Sequence, residues 1–181
     1  MTRDEVLERL RSVRAEFDAR VAAIPADALE VAPAGFRHSP KEVVAHVNAY
    51  ERLIVDRLRA ARRGEQTALG RDREGWEAFN ASVWARVAAL DPMKVLADSK
   101  QVFSDLVAEV SLLDDGELTT TAGVTEYIDP AWLDGHELWE LIGTDGFEHY
   151  PMHFDLLEAA ALEAVAGDGE DKAGASEGPA Q

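Results

Sequence analysis

Apolar residues recur at helical spacing along most of the chain, and the breaks between the runs carry start and stop signals. Val6, Leu10, Val13, Phe17 and Val21 form the first stripe, opened by Thr2 with Glu5 as a capping box and closed at Ile24-Pro25. After a loop holding Pro33, Gly35 and Phe36, the run Ser39-Pro40-Lys41-Glu42 supplies an N-cap, a proline at the first helical position and a returning glutamate. Val43, Val47, Tyr50, Ile54 and Leu58 make the apolar face of this second helix, and Arg62-Arg63-Gly64 ends it with bases against the helix dipole and a glycine cap. The polar stretch from Gly64 to Gly75 predicts a loop. Trp76, Phe79, Val83, Trp84 and Val87 then predict a shorter helix carrying aromatic residues.

Asp91-Pro92 opens a third long helix, whose apolar positions run from Val95 through Val102, Leu106 and Val110 to Leu113, before Asp114-Asp115-Gly116 stops it. Thr119 to Gly135, rich in Thr, Gly and Asp, predicts an irregular connection with room for a brief extended piece. From His136 onward, Leu138, Trp139, Ile142, His149, His153, Leu157 and Ala160 hold one face, which predicts a fourth long helix, continuous but kinked where Pro151 removes a backbone donor. Residues 167–181 contain no aromatic or branched aliphatic side chain, so burial cannot offset their ordering entropy; a domain over 1–166 and a disordered acidic tail over 167–181 are expected. The fold class is all-α: a four-helix bundle with an additional short helix and long connections.

At 46% hydrophobic and 29% charged residues, the composition is that of a folding soluble protein. The formal net charge of −17 argues against nucleic acid and anionic membrane as partners. With no cysteine, disulfides, thiolate metal sites and a cysteine nucleophile are excluded, so any metal must take nitrogen or oxygen ligands. The charged amino terminus is unlike a signal peptide, and charges interrupt every apolar run before membrane-spanning length; a cytoplasmic location is expected. Neither a phosphate-binding glycine loop nor a Gly-x-Ser-x-Gly elbow occurs.

His149 and His153 are four apart, which on a helix stacks their rings on one face and lets both offer nitrogen to one ion. The same spacing also suits two core histidines bonded within the bundle. His46, at the edge of the inward stripe of the second helix, is a third candidate, and three inward imidazoles could bind a divalent ion with positions left for water or substrate. Tyr150 stands where a zinc protease motif has its glutamate, so no built-in general base is visible and a hydrolytic nucleophile would be metal-bound water. Tyr50 and Tyr150 either orient a ligand or fill core; Trp76, Phe79, Trp84 and Trp139 either line a pocket or fill core. Glu148, next to His149, points about 100° away around the helix and reads as a solvated residue. His38, ahead of the Ser39 cap, reads as a surface loop residue, and His136 as either a pocket-mouth residue or a plain neighbour of Glu137. The arginines at positions 57, 59, 62 and 63 most simply answer the helix dipole.

The stretch Ser39-Pro40-Lys41-Glu42 leading to Ala45-His46 resembles the second-helix signature of the DinB superfamily. Phe79-Asn80-Ala81-Ser82-Val83-Trp84, Leu138-Trp139-Glu140-Leu141-Ile142, and Glu148-His149-Tyr150 with His153 look like its ClbS/DfsB branch. The resemblance implies a DinB-like four-helix bundle over about residues 3 to 165. It also implies a divalent ion held by His46, His149 and His153; Zn²⁺ or Ni²⁺ is the expected ion, and Tyr50, Asn80, Trp84, Trp139 and Tyr150 are the expected pocket residues. Family members include metal-dependent thiol transferases and isomerases, and the ClbS-like branch is associated with detoxifying electrophilic small molecules. The implied activity is that of a metal-dependent hydrolase or transferase, with an external thiol as an allowed cofactor and a homodimer as an allowed assembly. The alternative is a non-catalytic bundle that sequesters a small molecule between Tyr50, Trp84 and Trp139.

Overall fold

A computed structural model describes residues 1–66 and 73–174, and their side chains apart from 73–74, 131–132 and 167–174. The long helices are α1 (Arg3–Ala22), α2 (Pro40–Arg62), α3 (Arg73–Val87), α4 (Pro92–Ser111) and α8 (Phe154–Gly174), with short helices α5 (Asp115–Thr119), α6 (Pro130–Leu133) and α7 (Leu138–Asp145). Turns of 3₁₀ helix occupy Ala28–Glu30, Gly123–Tyr127 and Tyr150–His153. No strand occurs among the described residues, so the all-α expectation holds and the Thr119–Gly135 connection is helical turns rather than extended chain.

The caps are where the sequence places them. Thr2 accepts from Glu5 N while Glu5 returns to the Thr2 backbone, and Ser39 and Glu42 repeat this at α2. Asp91 accepts from Met93 N and Lys94 N to start α4. Gly64 closes α2 at φ +71, a left-handed conformation that side chains with a Cβ resist, and its N–H bonds to the Ala61 carbonyl at 2.9 Å. The middle of the Gly64–Gly75 loop, residues 67–72, lies outside the described residues, as do residues 175–181 of the expected tail. The helical backbone of α8 runs to Gly174, past residue 166.

α2 is the central element, packed most extensively on α4. Two apolar clusters share it. One gathers Leu10, Ile54, Leu58, Leu106, Ile142 and Phe147; the other Phe17, Val44, Val47, Val87, Tyr150 and Leu157. A buried polar set ties the four walls together: Arg14 of α1 bonds Glu51 of α2 at 3.3 Å and Ser99 of α4 at 2.9 Å, while the Tyr150 hydroxyl donates to Glu51. Asp18 at 2.8 Å completes the guanidinium's partners. The bases at the end of α2 do more than answer the dipole: Arg59 and Arg62 clamp Glu109 of α4 at 2.8 and 3.1 Å.

The expected continuous fourth helix is instead two helices. α7 ends at Asp145, Gly146 takes φ −118 and ψ −105, and a turn carries the chain into the Tyr150–His153 3₁₀ segment before α8 begins. The break belongs at Gly146 rather than Pro151. A Cβ on Gly146 would sit 2.5 Å from the Ile142 carbonyl oxygen and 3.1 Å from Leu10 Cδ2, so only glycine lets the chain fold back there. Gly146→Ala is expected to destabilise the fold by about 1–3 kcal/mol, as forced overpacking does. A urea midpoint unchanged from the parent would show that the turn tolerates a side chain.

Candidate functional site

The Gly146 turn decides where His149 points. Its ring faces α2, with Nε2 3.0 Å from His46 Nε2, and His153 lies one 3₁₀ turn further on. One ring nitrogen from each of His46, His149 and His153 lies within 4.8 Å of the others. Ring centroids are 4.8 Å apart for His46–His149, 5.2 Å for His46–His153 and 5.1 Å for His149–His153. Of the candidate site residues, these three are brought together by a distorted turn rather than by successive turns of one helix.

Aromatic side chains wall the cluster. Trp84 of α3 stacks on His46 at 4.9 Å, and the Tyr50 ring meets His46 at 4.9 Å and His149 at 4.7 Å edge to face. Trp76 stacks on Tyr50 at 5.5 Å, and Asn80 accepts from the Tyr50 hydroxyl at 3.1 Å. Two of the expected pocket residues are elsewhere. Tyr150 is wholly buried in the core, its ring 5.2 Å from Phe17 and its hydroxyl on Glu51; Trp139 packs on the other apolar cluster with its N–H donating to Glu137. The physical reason is the turn: with no helix through 146–149, neighbouring residues do not keep helical directions, and Tyr150 swings into the core as His149 faces α2.

His38 is the residue sequence reasoning missed. It is not surface decoration: its side chain is 26% exposed, and it stacks on Trp84 at 4.1 Å, with Nδ1 3.7 Å from Glu42. No spacing rule reaches it, because it lies in a loop and its partner comes from α3. His136, by contrast, is at the surface beside Glu140 at 3.4 Å, and Glu148 is exposed.

Burial holds the three imidazoles neutral. It lowers His46 to about 3, helped by the neighbouring His149, His153 and His38, and lowers His149 and His153 to about 4, with the Asp145 carbonyl partly offsetting the effect at His149. Each folded value lies below the unfolded one near 6.5, so the unfolded chain takes up protons first. The stability these rings contribute is complete above pH ~6.5 and is lost as pH falls toward about 4. Glu51 works the other way: burial raises it to about 7, so its contribution is complete below its unfolded value and lost as pH rises through 7. The urea midpoint is therefore expected to fall between pH 6.5 and 4.5 in the parent, and to fall less in His153→Gln. Equal slopes would place the acid sensitivity outside His153.

Do these residues fit a divalent ion? Neutral nitrogen donors are the right form, and His46 Nε2 and His149 Nε2 already stand at the separation of two ligands on one ion. His153 Nε2 is buried without a hydrogen-bond partner, as a nitrogen awaiting a metal would be. Closing the set onto ligand distances of about 2.1 Å asks for movement on the order of 1 Å. The donor set fits a metal with affinity for imidazole, such as Zn²⁺ or Ni²⁺.

The model of the DinB superfamily matches residues 2–142, and the chain belongs to that family. The match stops short of His149 and His153. Solved structures share the fold at low identity. A crystal structure of an uncharacterised protein from Escherichia coli UTI89 aligns with TM-score 0.74 at 14% identity, covering 90% of this chain and 94% of that one. A protein from Streptococcus pneumoniae aligns with TM-score 0.73 at 12% identity, covering 87% and 88%. The colibactin self-resistance protein ClbS, solved in complex with a double-stranded DNA, aligns with TM-score 0.67 at 14% identity, covering 91% and 94%. No curated protein matches the chain.

The ClbS complex corrects one expectation. The net charge of −17 argues against nucleic acid, yet a protein of this fold is solved in complex with a DNA duplex. Summed charge sets only the mean field around a molecule; local shape and a few well-placed donors can still hold phosphates. Among the described residues no helix is long and apolar enough to cross a membrane.

Proposed function

We propose that the chain is a divalent-metal-dependent hydrolase or transferase acting on a small electrophilic molecule. The observation that carries this reading is the convergence of three neutral imidazoles, two buried and one half-buried, from segments about a hundred residues apart, under an aromatic wall. His46, His149 and His153 would hold the ion. Because no carboxylate belongs to the cluster, the donors leave the ion's charge undiminished, and the chemistry it supplies when bound is Lewis-acid polarisation of an electrophile. Tyr50, Trp76 and Trp84 present flat apolar surfaces that exclude water and orient a planar or unsaturated group. Asn80 fixes the Tyr50 hydroxyl, directing its ring edge at the histidines. With no cysteine in the chain, a thiol nucleophile would be an external cofactor. Family membership and the ClbS neighbour support the same reading.

The test is an aryl epoxide probe, offered with water alone and with 2-mercaptoethanol, to protein stripped by chelation and reloaded with Zn²⁺ or Ni²⁺. Ring opening is expected to rise in proportion to bound metal up to one ion per chain and to vanish in His153→Ala. Tight probe binding by the metal-free protein with no turnover under any loading would favour the sequestering bundle instead.

A further inference from the structure

The face of α2 turned away from the histidines carries a second feature. Asn48 lies two positions after His46, about 200° further round the helix. There α2, α3 and α4 enclose a groove of about 370 Å³, within the range of small-ligand sites. Asn48 is one of its lining residues and is only 8% exposed, yet its buried Oδ1 has no hydrogen-bond partner. Turning the amide over would leave a donor in the same position, so the anomaly does not depend on which atom is which. A buried amide with nothing to bond costs stability, and native proteins rarely keep one without a reason.

The rest of the groove says what the missing partner is. Its apolar wall is Phe79, Val83, Val87 and Leu90. Its charges are Arg52 and Arg86 of one sign and Asp56 and Asp98 of the other, and none of the four forms an ion pair with a described residue. Arg52 and Asp56 stand at the spacing that usually pairs on a helix, and still do not pair. A lone anion entering here would face two carboxylates, and a lone cation two guanidinium groups. A neutral apolar molecule would leave the amide unbonded. Only a ligand with both charges on a polar head and an apolar remainder answers every group.

We propose that this groove binds a free α-amino acid with an apolar side chain. Its carboxylate is held by Arg52 and Arg86, its ammonium by Asp56 and Asp98, its head bonds the Asn48 amide, and its side chain lies on Val83 and Val87. This site is separate from the histidine cluster and does not rest on the metal reading.

The test titrates ¹⁵N-labelled full-length protein with L-leucine and L-phenylalanine to about 20 mM, enough to reveal a millimolar dissociation constant, with isovalerate and isoamylamine as single-charge controls. Saturable amide shifts on α2, α3 and α4 are expected for the amino acids, with each single-charge analogue weaker by about tenfold or more, the cost of leaving a charge unanswered. Asn48→Leu separates ligand binding from structure: it should abolish the shifts and yet melt above the parent, because it removes an unpaired amide. Ala49→Phe, which fills the groove and keeps the amide, should also abolish them. No saturable shift with either amino acid, a lower melting temperature for Asn48→Leu, or undiminished binding by Ala49→Phe would each overturn the proposal.

Discussion

His149→Ala is expected to eliminate divalent-metal binding. The parent should take up one Zn²⁺ or Ni²⁺ per chain; the variant should lose more than about 100-fold in affinity, beyond the 10–100-fold that follows loss of a ligand's supporting hydrogen bond. The size of the effect follows from position. His149 lies 3.0 Å from His46 through the ring nitrogens and next to His153, so its removal leaves two donors with no third to close the set. Because burial keeps the rings unprotonated to about pH 4, binding by the parent should stay nearly constant from pH 8 to 5, where free imidazoles would lose it to protons. Competition against a chromophoric chelator measures both effects. A parent that is folded and takes no metal at tens of micromolar would end the metal reading and leave His46 and His149 bonded to each other with His153 packed beside them.

Glu51→Ala is expected to be the most destabilising single change. Glu51 is fully buried, accepts from the Tyr150 hydroxyl, and faces the guanidinium of Arg14, itself 3% exposed. Removing the carboxylate strands Arg14 in the core, where an uncompensated charge costs about 3–5 kcal/mol. For a chain of this length that corresponds to roughly 10 °C in melting temperature. Replacing both partners with apolar residues, Arg14→Met with Glu51→Leu, should recover most of the loss, since a buried pair exchanged for apolar side chains is often neutral. Calorimetry on the three variants gives the answer; a single variant melting within 2 °C of the parent would mean that Asp18 alone satisfies Arg14. The network also joins Tyr150 to α1 and α4, so Glu51→Ala should loosen the turn that aims His149 and weaken metal binding as a second effect.

The bundle was legible because its signals are local. Thr2 with Glu5, Ser39 with Glu42, and Asp91 with Pro92 start helices by satisfying backbone donors within the next turn, whatever the rest of the chain does. The same signal at Asp114 and Glu117 starts α5, but there too few apolar residues follow to show a period, and Asp114-Asp115-Gly116 reads as a stop. The fourth helix misled for a different reason. Apolar positions on both sides of Gly146 stay in phase with one helix because both flanks are buried in the same bundle, so periodicity ran unbroken across a turn that the backbone does not make helically.

Sequence by itself determined the all-α class, the first three long helices and which three imidazoles to consider, because helical period and residue type are properties of neighbours along the chain. Only the tertiary structure decided that His149 faces α2 while Tyr150 faces the core, that His38 closes over Trp84, and that Arg14, Glu51, Ser99 and Tyr150 form one buried set. Those facts depend on groups 37 to 103 residues apart meeting in space, and on the balance between desolvation and pairing that exists only once they meet.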